Sequence, residues 1–284
     1  MDENKITVPV GNFAIGSGQP LTVIAGPCQI QSLDHALMMA TALKKICEEL
    51  RVNFIYKSSF DKANRTSIST KRGPGVKEGM DIMWGVKQVL NVATLTDIHH
   101  PDQASTCIAA GIDVLQIPAF LSRQTDLLLA AGESGAAVNI KKGQFMAPGD
   151  AARAAEKVAS TGNNRILLCE RGVTHGYNNL VVDMRSLPIM ARSGYPVVFD
   201  CTHSVQQPGG LGTSSGGDRG MVPFLARAAS ATGSVNALFI ETHEDPDSAP
   251  SDGPNMIPLN HIRELILQCK SIHDQVAAWP KIVL

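Results

Sequence analysis

Three cationic side chains fall within ten residues of the sequence Lys57-Ser-Ser-Phe-Asp-Lys-Ala-Asn-Arg-Thr66, directly after an apolar strand pattern. The cations are Lys57, Lys62 and Arg65, and hydroxyl or amide side chains lie between them. Lysine offers a point charge, and arginine a forked donor, to the oxygens of a phosphate or carboxylate group. The run therefore predicts an anion site for a phosphorylated substrate, with a solvated basic loop as the alternative.

A second basic pair, Lys141 and Lys142, closes the fifth predicted strand. Because side chains alternate along a strand, one lysine points toward the site and the other away, and Lys141 shares the parity of Asn139. A lone lysine there could instead form a Schiff base, as in aldolases. The many surrounding cations favour phosphate binding.

Arg171 ends the sixth predicted strand and is followed by glycine, which lets a guanidinium meet an oxyanion with two N–H groups. Pairing with the adjacent Glu170 is the alternative. Arg123 follows the sequence Gln116-Ile-Pro-Ala-Phe-Leu and opens the next helix, from which it could reach a neighbouring subunit.

A mixed set of sulfur, nitrogen and oxygen donors could hold a metal ion: Cys28, His203, Glu241 and Asp252. Their separation leaves no local ligand spacing, and a histidine at a strand end is more often catalytic or hydrogen-bonded. Strand alternation puts Glu241 and His243 on one face, so either could be the ligand.

Eight short apolar runs, alternating with amphipathic stretches, must position these residues. Eight successive βα units predict an α/β fold of the TIM (β/α)8 barrel type, with a doubly wound open sheet as the alternative. The predicted helices include Asp34–Leu50, Ala151–Ser160 and Leu259–Ala278. The predicted strands are Leu21–Cys28, Asn53–Phe60, Val92–Ile98, Val114–Ala119, Ala137–Lys142, Arg165–Arg171, Pro196–His203 and Ala237–His243.

The chain is expected to form one domain over residues 1–284. Residues 1–20 predict a short N-terminal β-hairpin that caps the barrel floor, and residues 21–284 form the barrel. The carboxyl ends of barrel strands carry the chemistry of such a fold, so its mouth should be polar. The residues expected there are Cys28, Lys57, Lys62, Arg65, Asp97, His99, Gln116, Asn139, Lys141, Glu170, Arg171, Asp200, His203, Glu241 and His243.

Two glycine-rich segments, 206–219 and 244–255, follow the last two predicted strands and are typical of mobile lids. The first lacks the GxxxxGK[ST] sequence of a P-loop. A plain flexible connection is the alternative for both.

Composition argues against several classes of partner. The net charge of -1 and the aromatic content of 5% give little support to a nucleic-acid surface. No apolar run approaches the roughly 18 residues of a membrane span, and the first residues lack the pattern of a secretory signal, so a cytoplasmic protein is expected. Six scattered cysteines predict thiols rather than disulfides.

Six motifs together resemble the 3-deoxy-D-manno-octulosonate 8-phosphate synthase family over nearly the whole chain. The Lys-Ala-Asn-Arg element is the specific part, because the related heptulosonate phosphate synthases have Lys-Pro-Arg-Thr there. The motifs are Ile24-Ala-Gly-Pro-Cys28, Lys57-Ser-Ser-Phe-Asp-Lys-Ala-Asn-Arg65, Gln116-Ile-Pro-Ala-Phe-Leu, Asn139-Ile-Lys-Lys, Phe199-Asp-Cys-Thr-His203 and Ser251-Asp-Gly-Pro-Asn255.

The resemblance implies condensation of phosphoenolpyruvate with D-arabinose 5-phosphate and water by a homotetramer, in lipopolysaccharide biosynthesis. The pentose phosphate would be held by Asn64, Arg65 and Thr66, with Arg123 from a neighbouring subunit. Phosphoenolpyruvate would be held by Lys57, Ser59, Lys62, Gln116, Ala119, Lys141 and Arg171. The candidate catalytic residues are Lys62, Asp97, Lys141 and His203, and His203 is also a candidate substrate contact.

The family contains metal-dependent members and metal-independent members that have asparagine at the position of Cys28. Cys28 therefore implies the metal-dependent type, with His203, Glu241 and Asp252 as the other ligands. Because soft and hard donors are combined, zinc, iron, manganese and cobalt all stay open.

Three other functions remain in competition. A heptulosonate phosphate synthase would use erythrose 4-phosphate, and an aldolase of another class would form an imine with pyruvate. A non-catalytic sugar-phosphate binding protein would bind without turnover.

Overall fold

Eight parallel strands close into a barrel within residues 6–65, 67–210, 215–280 and 282, which the computed structural model describes. Each strand pairs with its neighbours along the chain, and the last strand pairs with both the seventh and the first. This closure confirms the TIM barrel and excludes the open sheet. The strands are β1 Thr22–Gly26, β2 Asn53–Lys57, β3 Ala93–Asp97, β4 Val114–Ile117, β5 Ala137–Lys141, β6 Ile166–Glu170, β7 Val197–Asp200 and β8 Ala237–His243.

Helices follow the strands and cover the outside of the barrel. They are α1 Leu33–Leu50, α2 Val76–Leu90, α3 Asp102–Ala109, α4 Thr125–Glu133, α5 Ala151–Ala159, α6 Ser186–Ala191, α7 Val222–Ala231 and α8 Leu259–Ala277. The longest helices each bury one apolar stripe against the barrel. In α1 this stripe includes Ala36, Met39, Leu43 and Cys47, which recur at helical spacing. No helix in the described part of the chain is long and apolar enough to span a membrane.

Several short elements decorate the strand ends. Ile257–Pro258 extends the sheet beside β8, while Val173–Thr174 pairs with Leu180–Val181 and Gln206–Gln207 pairs with Gly216–Gly217. Single 3-10 turns lie at Ala119–Leu121, Pro148–Asp150, His203–Val205, Arg219–Met221 and Gly253–Asn255.

A β-hairpin closes the barrel floor, as predicted. Its strands, Val8–Val10 and Phe13–Ile15, pair antiparallel around a turn that contains Gly11 at φ +54°. Val8, Val10 and Ile15 are fully buried against the lowest side chains inside the barrel, which include Ile24 and Leu95. The lower half of the interior is therefore a packed apolar plug, and polar chemistry is confined to the upper half.

Most of the predicted strands extend past the observed strand ends. The seventh was predicted to run to His203, but β7 ends at Asp200 and His203 lies in a 3-10 turn. Beyond the strand ends the backbone bends over the mouth of the barrel and carries polar side chains there. These residues are therefore not paired in the sheet. The prediction for β8 coincides with the observed strand.

Gly26 ends β1 where the backbone of β2 passes very close. A Cβ built on it would lie 2.0 Å from the carbonyl oxygen of Lys57, whereas one built on Gly149 meets nothing within 4 Å. We expect Gly26→Ala to lower the free energy of unfolding by about 3 kcal/mol, because the strand must shift. The matched Gly149→Ala should stay within about 0.5 kcal/mol. Urea unfolding measures both, and equal stability would contradict this packing.

Candidate active site at the barrel mouth

A cavity of about 520 Å³ opens at the carboxyl ends of the barrel strands. Its wall carries cations and carboxylates together, so it suits a small polyanionic ligand. The predicted site residues that line it are Lys57, Lys62, Asn64, Arg65, Asp97, His99, Gln116, Ala119, Lys141, Arg171, His203, Glu241 and Asp252.

Lys57 projects from the end of β2 into the barrel and is fully buried. Its Nζ lies 2.5 Å from Oε1 of Glu241 and donates to the carbonyl oxygen of Cys28 at 3.1 Å. Burial alone would raise the pKa of Glu241, but Lys57 and His203 outweigh it and lower that pKa to about 2. Glu241 is therefore a carboxylate, and its second oxygen, Oε2, is buried with no hydrogen-bond partner among the described residues.

Lys141, Asp200 and His203 form one cluster across β5 and β7. Lys141 Nζ lies 2.5 Å from Asp200 Oδ2 and 3.7 Å from the centre of the Phe239 ring. Asp200 also lies 2.9 Å from His203 Nδ1. Although burial opposes ionisation, His203 and Lys141 hold the pKa of Asp200 well below its usual range. Asp200 thus fixes the imidazole so that its Nε2 faces Glu241 and Asp252.

Asp97 ends β3 and is held by hydrogen bonds on both oxygens. Ser59 Oγ donates to Oδ2 at 2.8 Å and Gln116 Nε2 donates to Oδ1, while Asn139 Nδ2 donates to Gln116 at 2.9 Å. Burial opposes its ionisation, but Lys57 and the neighbouring lysine Lys62 lower the pKa of Asp97. Ser59 does not line the cavity in this structure, since it sits behind Asp97.

Arg171 points into the cavity from the residue after β6. Its Nη2 donates to Gln206 Oε1 at 2.9 Å, and its Nη1 is buried without a partner among the described residues. The predicted alternative, a pairing with Glu170, is wrong. Glu170 faces the outside of the barrel, where it lies 3.4 Å from Lys142 and accepts the backbone N–H of Arg171 and Gly172. A buried guanidinium with an open N–H group is ready for an anion.

The basic segment after β2 forms one rim of the cavity. Lys62 Nζ lies 3.8 Å from Asp252 Oδ2. Arg65 Nη2 donates to Gln29 Oε1 at 2.8 Å and to the Pro250 carbonyl oxygen at 2.8 Å, so it joins three loops. The alternative of a solvated basic loop does not describe Lys57 or Lys62, which are buried or nearly so.

Two of the predicted substrate contacts, Thr66 and Arg123, are not assigned to the cavity by this structure. Thr66 lies outside the described residues. Arg123 is exposed and away from the cavity of its own chain, and its carbonyl oxygen accepts from Lys157 Nζ at 3.0 Å.

Cys28, Glu241 and Asp252 converge as a candidate metal centre, with all donor atoms within 4.8 Å of one another. The Cys28 thiol donates to Asp252 Oδ2 at 3.1 Å. His203 Nε2 lies 3.5 Å from Glu241 Oε2 and 3.7 Å from Asp252 Oδ2. The residues fit a cation, because a thiol and two carboxylates converge there and Glu241 Oε2, which has no hydrogen-bond partner among the described residues, lies toward the imidazole nitrogen. Burial, followed by Asp252 and Glu241, raises the pKa of the Cys28 thiol.

The sequence left Glu241 and His243 as equal candidates for this set. The structure separates them, because Glu241 joins Cys28 and Asp252, whereas His243 groups with His35 and Glu244. All six cysteines are free and buried.

Two glutamines at the site were missed by sequence reasoning. Gln206 holds Arg171, and Gln29 holds Arg65, over separations of 35 and 36 residues. Neither carries a local signal, although Gln206 opens the first glycine-rich segment.

The two glycine-rich segments meet over the mouth. Arg219 Nη2 donates to Asp247 Oδ1 at 2.5 Å and to the Gly253 carbonyl oxygen at 2.9 Å. Residues 211–214 lie outside the described part, and lid motion stays a prediction.

Comparison with known proteins finds similarity over most of the chain. The model of the DAHP synthetase I family matches residues 3–278. A Granulibacter bethesdensis protein named 2-dehydro-3-deoxyphosphooctonate aldolase is 57% identical over 263 residues, covering 93% of each chain. Proteins of the same name from Magnetococcus marinus and Bartonella henselae are 56% and 53% identical over 266 residues, covering 94% of this chain and 92% and 95% of theirs.

Proposed function

Because this chain belongs to the DAHP synthetase I family, and its relatives bear the name 2-dehydro-3-deoxyphosphooctonate aldolase, we propose that it condenses phosphoenolpyruvate with D-arabinose 5-phosphate and water. The products are 3-deoxy-D-manno-octulosonate 8-phosphate and inorganic phosphate, and the reaction belongs to lipopolysaccharide biosynthesis. The observation that carries the proposal is the barrel-mouth cavity, which Lys62, Lys141 and Arg171 line and where Arg171 Nη1 is buried with no hydrogen-bond partner among the described residues.

Phosphoenolpyruvate lies at the deep end of the cavity in this proposal. Lys57 and Lys141 lie 2.5 Å from buried carboxylates, whereas Lys62 lies 3.8 Å from Asp252, so Arg171 and Lys62 are the cations more open to the ligand. Gln116 and Ala119 complete this subsite, and Ser59 acts through Asp97. Bidentate contact with Arg171 would satisfy its free Nη1.

The pentose phosphate takes the rim. Asn64 and Arg65 line the cavity there, and Arg65 Nε is buried without a partner among the described residues. Thr66 adds a hydroxyl. Arg123 is exposed in its own chain, and its place in the site requires a neighbouring subunit of a homotetramer.

In this proposal Lys62 carries out two proton transfers, and Asp97 orients the reacting groups. C3 of phosphoenolpyruvate bonds to the aldehyde carbon, and the aldehyde oxygen takes a proton from Lys62. Water adds at C2 and returns one proton to Lys62. The bond from C2 to the bridging oxygen then breaks, the departing phosphate takes the proton of the new C2 hydroxyl, and C2 becomes the keto carbon. Asp97 has a lowered pKa and is a weak base, so it orients rather than accepts protons.

We also propose the metal-dependent type of site. Cys28, His203, Glu241 and Asp252 would hold the ion, with zinc, iron, manganese and cobalt as the fitting metals. A bound divalent ion there supplies either a template for the aldehyde or a lowered pKa for water, and we favour the template.

Two competing functions differ from the proposed one in ways that experiments can test. A Schiff base requires a free amine, but the Lys141 ammonium is held 2.5 Å from Asp200, and borohydride with pyruvate should trap no adduct. The family description favours a heptulosonate phosphate synthase as the second candidate. The length of the sugar acceptor separates that function from the proposed one.

Phosphoenolpyruvate labelled with ¹⁸O in its bridging oxygen tests the proposed reaction. We expect mass spectrometry to find an eight-carbon sugar acid phosphate and the label in inorganic phosphate, because the bond from C2 to oxygen breaks. Unlabelled phosphate, or no condensed product, would contradict the proposal.

A further inference from the structure

The side-chain amide of Gln206 joins two residues to which the proposed function gives different ligands. Its Oε1 accepts from Arg171 Nη2 at 2.9 Å, and its Nε2 donates to Asp252 Oδ1 at 3.3 Å. Arg171 follows β6 and Asp252 follows β8, so these partners lie 35 and 46 residues away along the chain. One amide therefore connects the guanidinium proposed to bind the anion with a carboxylate of the candidate metal centre.

The neighbours of this amide fix its orientation. A guanidinium has N–H groups and no acceptor, so the amide oxygen of Gln206 must face Arg171. The amide NH2 group is then turned toward Asp252, whose Oδ1 accepts from it. The ambiguity between the oxygen and nitrogen of an amide side chain is thus removed by the hydrogen bonds themselves.

The two oxygens of Asp252 have separate partners. Oδ2 faces the candidate metal centre, where the Cys28 thiol lies at 3.1 Å and His203 Nε2 at 3.7 Å. Oδ1 points away from those donors and is held by Gln206. A hydrogen bond to the second oxygen of a carboxylate is a common way to orient a metal ligand. Gln206 therefore keeps Oδ2 turned toward Cys28 and His203.

Arg171 is divided in the same way. Its Nη2 is held by Gln206, whereas its Nη1 is buried and has no partner among the described residues. In the described part of the chain, Asp252 forms its ion pairs with Lys62 and His203 instead of with this guanidinium. A direct ion pair between Arg171 and Asp252 would occupy groups that the anion and the cation need. The amide links the two residues and also keeps them apart.

The backbone that presents this amide is anchored on both sides. The backbone N–H of Gln206 donates to the carbonyl oxygen of His203, and the strand that it opens pairs antiparallel with Gly216–Gly217. A Cβ built on Gly217 would lie 1.4 Å from Oδ1 of Asn255, so the paired strand packs directly against the second glycine-rich segment. The position of the amide is therefore set by the fold and not by its side-chain contacts alone.

We propose that Gln206 is a positioning residue that aims Arg171 at the anion and Asp252 at the cation. Gln206 lines the cavity, but both ends of its amide are engaged by these two residues, so it acts through them. Binding of two chemically different ligands then depends on one uncharged side chain. The inference rests on the proposed function, which assigns those ligands to Arg171 and Asp252.

Gln206→Met removes both hydrogen bonds and keeps the length of the side chain. Cobalt(II) titration of the full chain, followed by the sulfur-to-cobalt charge-transfer band of Cys28, measures binding of the cation. Calorimetry with inorganic phosphate on the metal-free full chain measures binding of the anion. We expect the variant to bind cobalt at least about 10-fold more weakly and phosphate about fivefold more weakly.

Gln206→Glu is a second variant of nearly the same shape. Its carboxylate can accept from Arg171 but cancels the charge of the guanidinium and has no proton for Asp252. We expect it to bind phosphate more weakly than Gln206→Met does, which is a difference that loss of packing alone would not produce. Phosphate binding by Gln206→Glu equal to that of the unaltered chain would show that the side chain does not face Arg171.

Gln207→Met is the matched control, because Gln207 is the next residue of the same strand but is exposed and lies outside the cavity lining. It should bind both ligands as the unaltered chain does, and urea unfolding checks that every variant is folded. Unchanged binding of both ligands by folded Gln206→Met, or weakening of only one, would overturn the inference alone. Failure of the unaltered chain to bind either ligand would overturn the proposed sites together with it.

Discussion

Lys141→Met is expected to lower kcat/KM for phosphoenolpyruvate by about 10³-fold. The substitution removes a buried ammonium from Asp200 and from the ring of Phe239, and it leaves the buried Asp200 carboxylate without its lysine partner. Because Asp200 also holds His203, a shift of this carboxylate would move the imidazole as well. Steady-state kinetics on the purified variant measures the loss.

Two further variants separate the catalytic from the structural part of this effect. Lys77→Met changes an exposed lysine of α2 in the same way and should leave kcat/KM unchanged. Lys141→Met combined with Asp200→Asn removes the unpaired charge, so it should regain stability in urea but not activity. Activity within tenfold of the unaltered chain in a folded Lys141→Met protein would refute the assignment.

Cys28→Ala should abolish stoichiometric binding of metal at the cavity and lower kcat by at least about 100-fold. The thiol belongs to the group with Glu241 and Asp252, and without it a cation loses its only soft donor. Metal analysis after dialysis and kinetics with metal added back measure the two effects. Cys47→Ala is the control, because Cys47 is buried in the outer core on α1 and belongs neither to the Cys28 group nor to the cavity lining.

Cys28→Asn then tests what the metal does. If the ion only orients the aldehyde, an amide with local adjustments should recover part of the activity without metal, since asparagine cannot generate a hydroxide. Inactivity of every such variant, in folded protein, would count against the template role and favour activation of water.

The repeating pattern of the chain was enough to predict the barrel and much of its mouth. Period-two alternation placed Lys141 inside and Lys142 outside, and the structure confirms both positions. The same rule explains why Arg171 enters the cavity while Glu170 does not. Whether Arg171 pairs with Glu170 depends on contacts made after the strand, where Arg171 meets Gln206 and Glu170 accepts backbone N–H groups. The face to which a strand side chain points depends only on its position along the strand, so the sequence alone can predict it.

Contacts between loops were beyond that reasoning. Glu241 and His243 have the same parity, and only the positions of the segments after β1 and β8 assign one to Cys28 and the other to His35. The bond from Arg65 to the Pro250 carbonyl oxygen spans 185 residues. Such pairs depend on how connecting segments fold over the mouth, which no periodicity encodes. The proposed contribution of Arg123 would depend in addition on a second chain.

Release of inorganic phosphate from phosphoenolpyruvate, with arabinose 5-phosphate or erythrose 4-phosphate as acceptor, tests the proposed reaction most directly. Each sugar is assayed before and after chelation and after a divalent metal is added back. We predict release with the five-carbon sugar alone, lost on chelation and restored by metal. Release with the four-carbon sugar alone would make the chain a heptulosonate phosphate synthase, and no release with either sugar would contradict the condensation itself.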